Sequence, residues 1–81
     1  MQVLLTRRER EVLSFSAEGK SVPVIATILS LSDQTVKFHL KNIYAKLNVS
    51  TRQTAVVKAI RLGLITPNLV KAIENPTRVG R

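Results

Sequence analysis

The chain has 81 residues, 44% of them hydrophobic, and thirteen Lys and Arg against five Asp and Glu give a net charge of +8; that is one small domain with the electrostatic footprint of a nucleic-acid or anionic-surface binder. No cysteine is present, so disulfides and thiolate metal sites are excluded, and one His, one Asp and no glycine-rich phosphate loop leave no nucleophile paired with a base. No apolar run approaches the roughly 20 residues needed to span a bilayer and the N-terminus lacks a signal-peptide core, so the expectation is a soluble, unexported, non-enzymatic protein without cofactor or metal.

Met1 to Leu5 is a short apolar lead whose Leu4 and Leu5 are placed to pack on a first helix. Thr6-Arg7-Arg8-Glu9 has capping-box spacing, the Thr6 side chain reaching the third N–H of the helix and Glu9 reaching back to the first. Val12, Leu13, Ser16 and Ala17 make the inner side, and Gly19 suits a left-handed end. Arg7, Arg8 and Arg10 crowd the first turn, where positive charge opposes the helix dipole. Solvated charge is the plain reading for at least two of them, with one left to approach phosphate.

Ser21 opens a shorter second helix with Pro23 in its first turn, and Ile25, Ala26, Ile28 and Leu29 follow at helical spacing. Only Ser30 and Leu31 separate it from Ser32, an N-cap followed by Asp33. In the helix from Ser32 to Leu47, Val36, Leu40, Ile43 and Leu47 fall on one core-facing stripe. The opposite side carries Gln34, Lys37, Phe38, Lys41, Asn42 and Ala45. Charged helix faces are common, but a large exposed aromatic between lysines marks a contact surface. Two short helices joined this tightly, the second cationic outside, read as a helix-turn-helix with Ser32 to Leu47 as the recognition helix. His39 lies on the flank of the core stripe with no metal-binding or catalytic partner in sequence, and reads as a packing residue.

Asn48-Val49-Ser50 breaks the pattern, and Ser50 with Gln53 offers a further capping box. Ala55, Ala59 and Leu62 line one side of the fourth helix; Val56, Val57 and Ile60 form a second apolar stripe that needs a partner subunit or the chain's own tail. Gly63-Leu64-Ile65 closes it. Thr66-Pro67 begins a tail in which Leu69, Val70 and Ile73 suit a short amphipathic helix, and Thr77 to Arg81 carry no packing signal and are expected to be disordered. The expected fold is all-α, a four-helix bundle containing a helix-turn-helix over 1–65, with a tail over 66–81 that has room for a short fifth helix.

The ordered runs LTRREREVL, Gly19, IATILSLSDQTVKFHLKNIYAKLNVSTRQTAV and GLI resemble the LuxR-type DNA-binding domain shared by GerE, FixJ and NarL regulators, from about Leu5 to Ile65. That resemblance implies transcription regulation in the bacterial cytoplasm, at the nucleoid, by sequence-specific binding of double-stranded DNA with the third helix in the major groove. It puts Lys37, Phe38 and Lys41 at base-contacting positions, beside Gln34 and Asn42 on the same face. It assigns Thr35, Lys46 and Arg52 to the DNA backbone. It makes the fourth helix a homodimer surface, with Gln53, Val56, Val57 and Ile60. RNA polymerase is a further partner it implies, as is an upstream sensor or receiver domain if the chain is an excised domain rather than a stand-alone regulator, with no membrane. Val22-Pro23-Val24 departs from the polar run usual at the start of the second helix. The alternative is a basic helical module that docks on a protein or membrane surface without reading DNA.

Overall fold

The structure, a computed structural model, describes residues 4–65. Four helices occupy that span, α1 (Arg7–Ala17), α2 (Val22–Leu29), α3 (Asp33–Leu47) and α4 (Arg52–Arg61), with no strand among the described residues. The fold is thus the all-α bundle expected. The tail helix and disordered end lie outside the described residues.

Local chemistry sets the helix starts. The Thr6 hydroxyl accepts the Glu9 N–H at 3.1 Å while the Glu9 carboxylate accepts the Thr6 N–H at 2.9 Å, so both free donors are satisfied within one turn. Ser32 accepts the Thr35 N–H at 3.0 Å. Ser21 caps α2 without a side-chain bond, and proline in the first turn fixes the backbone instead. At α4 the expected box at Ser50 and Gln53 is corrected by one residue: Thr51 is the cap, accepting the Thr54 N–H at 3.2 Å, and the Thr54 hydroxyl accepts in return at 3.3 Å. The shift leaves β-branched Thr51 in extended backbone rather than in the helix, where it is less favoured.

The helix ends share one device. Lys20, Leu31, Val49 and Leu64 each return an N–H to the carbonyl five residues back, on Phe15, Ala26, Tyr44 and Ala59, at 2.8–3.1 Å. A left-handed residue precedes each: Gly19, Ser30, Asn48 and Gly63. This is the Schellman closure, and it reverses the chain sharply enough for each helix to fold back onto the others.

Helix α3 is the hub, packing on α1, α2 and α4. Val12, Leu13, Ile25, Val36, Ile43, Leu47, Ala55 and Ala59 are fully or almost fully enclosed, with Leu5 and Ile65 closing the two ends. Burying a side chain of this kind contributes about 1.5–3 kcal/mol. Leu4, expected to pack beside Leu5, is instead 73% exposed. Strand-like alternation explains it: the one residue inward forces its neighbour outward. Helix α4 is also rotated from expectation. Its core face is Ala55, Val56 and Ala59, while Leu62 is 48% exposed. The two alanines admit close approach, so the buried arc takes in Val56, whereas Leu62 lies beyond the last helical residue. The second stripe of Val56, Val57 and Ile60 is therefore split: Val56 inside, Ile60 half-buried, Val57 out.

Candidate nucleic-acid interface

The outward face of α3 is as the spacing requires. Gln34, Lys37, Phe38, Lys41 and Ala45 are exposed, Thr35 and Asn42 half-buried, and Phe38 leaves 60% of its surface to solvent. The core stripe of Val36, Leu40, Ile43 and Leu47 fixes the helix about its own axis and so points this face away from the bundle. The Phe38 ring meets His39 at 6.1 Å in a tilted pair, which steadies an aromatic that has no pocket of its own. His39 is half-buried, as a packing residue should be.

The cations sort into two classes. Arg7 and Arg8 both face Glu11, at 3.6 and 3.1 Å, and Arg10 donates to the Leu5 carbonyl at 3.0 Å. Arg7 and Arg8 thus share one carboxylate, and the Arg7 side chain stays 86% exposed. Lys20 stands 3.7 Å from Glu18. Lys46 donates to Glu9 at 2.7 Å, and Lys58 to the Leu47 carbonyl at 2.7 Å. Lys37, Lys41, Arg52 and Arg61 have no ion pair or side-chain hydrogen bond among the described residues. The unpartnered positive charge therefore sits on α3's outer face and on α4, while in α1 Arg7 and Arg8 share the Glu11 carboxylate and Arg10 bonds a carbonyl.

Lys46 departs from the role expected for it. Its ammonium is engaged by a Glu9 carboxylate that is itself only 5% exposed. Lys46 lies in the last turn of α3, about 13 Å along the axis from Lys37, on the flank that meets α1. Burial pushes the Glu9 carboxyl up, but the bond from Lys46, the Thr6 N–H and the nearby positive charge outweigh it and hold the group below the ordinary glutamate range. Glu9 thus serves two elements, capping α1 and tethering α3. Thr35 shares its hydroxyl with Ser32 at 2.9 Å, so its oxygen already belongs to the cap. Arg52 is half-buried at the mouth of a groove with Ser16, Gly19 and Val57.

The outer side of α4 carries Gln53 and Val57 in the open, Val57 being 54% exposed. Val57 forms a ridge between two grooves. One, of about 480 Å³, is lined by Val49, Val57, Leu62, Lys58 and Arg61; the other, of about 310 Å³, by Ser16, Ala17 and Val56. Of the four residues expected to pair two copies, only Gln53 and Val57 are exposed. The structure adds Leu62 and Val49, which sequence spacing assigns to the core and to a turn. Lys58 also escaped the sequence reading, because nothing in a lysine's position announces a carbonyl on another helix.

Residues 3–59 match the family described as GerE, bacterial regulatory proteins of the luxR family. The chain is 51% identical over 61 residues to the transcriptional activator protein SolR of Ralstonia nicotianae, covering 75% of this chain and 26% of that protein. It therefore spans about a quarter of the length of the curated relatives it matches. The solved structure of the transcription factor GerE superposes with a TM-score of 0.74 at 35% identity, over 82% of this chain and 97% of that one. SdiA, solved in complex with octanoyl-rac-glycerol, gives 0.72 at 40% identity, over 78% of this chain and 26% of that one.

Proposed function

The chain belongs to the luxR family of bacterial regulatory proteins, a family of DNA-binding transcription regulators, and from that premise we propose that it reads double-stranded DNA with the outer face of α3 in the major groove. The observation that carries this reading is the partition of the cations. Lys37 and Lys41 flank an exposed Phe38 and are unpaired among the described residues, whereas the arginines of α1, Lys46 and Lys58 each have a carboxylate or carbonyl partner within the protein. Lys37 and Lys41 lie one turn apart, about 6 Å, a reach suited to guanine O6 and N7 on neighbouring base pairs. Phe38 between them suits a thymine methyl. Gln34 and Asn42 flank the same face. Thr35 and Arg52 meet the backbone, which positions the helix without reading sequence. Lys46 is engaged by Glu9 and holds α3 to α1 instead of meeting the backbone.

Two copies pair on DNA through Gln53 and Val57 of α4, with Ile60 at the edge of the contact and Leu62 added to it. Val56 drops out as a surface residue, since it is 7% exposed. Residues 1–65 act as the DNA-binding unit, either of a stand-alone regulator or, where the chain is a piece of a longer one, beside a sensor or receiver domain, and the assembly works in the cytoplasm, at the nucleoid, in contact with RNA polymerase. No described helix is long and apolar enough to cross a membrane.

The test is binding of the 81-residue chain to a labelled duplex bearing an inverted repeat and to a scrambled duplex, over a salt series. A preference for the repeat that persists as salt rises is the expected result. Equal binding that collapses with salt would leave only the attraction of +8 for phosphate.

A further inference from the structure

Among the described residues, helix α3 is anchored to other helices by side-chain hydrogen bonds only in its last turn. Among the described residues its long-range polar bonds are Lys46 to Glu9 of α1 and the Lys58 ammonium of α4 to the Leu47 carbonyl, each 2.7 Å. The half that carries Lys37, Phe38 and Lys41 has none. The final carbonyls of a helix lack internal partners and bear its negative partial charge. Among the described residues, the C-terminal carbonyls of α1, α2 and α4 are met only by backbone N–H groups. In α3 the Tyr44 and Ala45 carbonyls are met the same way, and Leu47 alone receives a cation from another helix.

We infer that Lys58 is a positioning residue for base reading: its ammonium fixes the base of α3, and with it the angle at which the reading face is presented. This rests on the reading of α3 given above. The leverage is geometric. Lys37 lies ten residues from Leu47, about 15 Å along the helix, so a tilt of about 5° at the base moves it by about 1.3 Å, enough to break a bidentate bond to a guanine edge. Packing along Val36, Leu40, Ile43 and Leu47 sets the axis of α3, and the bond from Lys58 adds a directional restraint at its base. The same side chain lines the groove beside Val57 and Leu62. Lys58 therefore touches both the face that pairs two copies and the helix that reads.

The experiment compares Lys58→Met, which keeps the stem and removes the ammonium, with Lys58→Arg, whose guanidinium donates to a carbonyl as well. Both are made in the full 81-residue chain and studied at a temperature where circular dichroism shows every variant folded. Amide hydrogen exchange in the free protein is the first readout. Exchange at the end of α3 should quicken roughly fivefold in the Met variant and return to normal in the Arg variant; unchanged exchange overturns the inference. The second readout is the ratio of affinities for inverted-repeat and scrambled duplexes, which should fall roughly three- to tenfold in the Met variant and recover in the Arg variant. Quickened exchange with an unchanged ratio makes Lys58 a merely structural cap and overturns the positioning role. An equal loss on both duplexes, with a shallower salt slope, makes it a phosphate contact and overturns it too. A wild type with no preference removes the base-reading premise, and the positioning role with it, while the exchange result still shows whether Lys58 holds α3.

Discussion

Glu9 and Lys46, thirty-seven residues apart, meet at 2.7 Å, and through them the first turn of α1 is tied to the last turn of the helix that faces outward. The carboxylate is enclosed and also closes the α1 capping box, whereas the lysine side chain keeps 38% of its surface in solvent. Loss of the acid thus leaves two backbone and side-chain donors short, and loss of the base leaves an enclosed charge half-satisfied.

Glu9→Ala should lower stability by about 2 kcal/mol, the sum of a lost cap and a partly exposed ion pair. Urea unfolding at neutral pH measures it. Since the folded Glu9 pKa is depressed, its contribution is complete above the ordinary glutamate range near 4.3 and is lost as pH falls below that range toward the lower folded value. The stability gap between wild type and Glu9→Gln should accordingly narrow in that acid window and stay constant above it.

Ser30 and Asn48 occupy left-handed backbone at φ 58° and 56°. Asparagine tolerates this conformation better than serine. Ser30→Gly should therefore stabilise the domain by about 0.5 kcal/mol and Ser30→Val destabilise it by about 1 kcal/mol or more, both read from thermal unfolding.

Ser16 is enclosed in α1 and its hydroxyl has no hydrogen-bond partner within the described residues. Ser16→Ala removes an unpaired polar group and improves helix propensity, so a gain of about 1 kcal/mol in unfolding free energy is expected.

Val56 and Val57 separate folding from pairing. Val57→Asp should leave the circular dichroism spectrum and unfolding midpoint nearly unchanged and abolish cooperative binding to a two-half-site duplex. Val56→Asp, which puts a charge into the core, should unfold the domain. Loss of fold in both variants would reassign Val57 to the core.

The helices and their inward faces were legible because each is written in local terms: hydroxyl caps three residues before an N–H, glycine or proline at the boundaries, and apolar residues at helical spacing from Val12 to Leu47. The outward lysines and Phe38 were legible for the same reason, since a filled core stripe fixes which residues are left outside. What escaped was set by tertiary geometry. The rotation of α4 depends on how closely two alanines let it approach, so Val56 and Leu62 exchanged places. Lys46 and Lys58 looked like surface cations because their acceptors, Glu9 and the Leu47 carbonyl, are distant in sequence. At α4 Ser50 and Gln53 fit the capping box by residue type, whereas the cap used is Thr51 with Thr54, a hydroxyl pair outside that pattern.

Lys37 and Lys41 as base contacts are tested most directly by replacing each with alanine and titrating the cognate and a scrambled duplex at the same salt concentration. Each substitution should weaken cognate binding by about 1–3 kcal/mol and scrambled binding far less. Equal losses on the two duplexes would contradict base reading and make both lysines phosphate contacts.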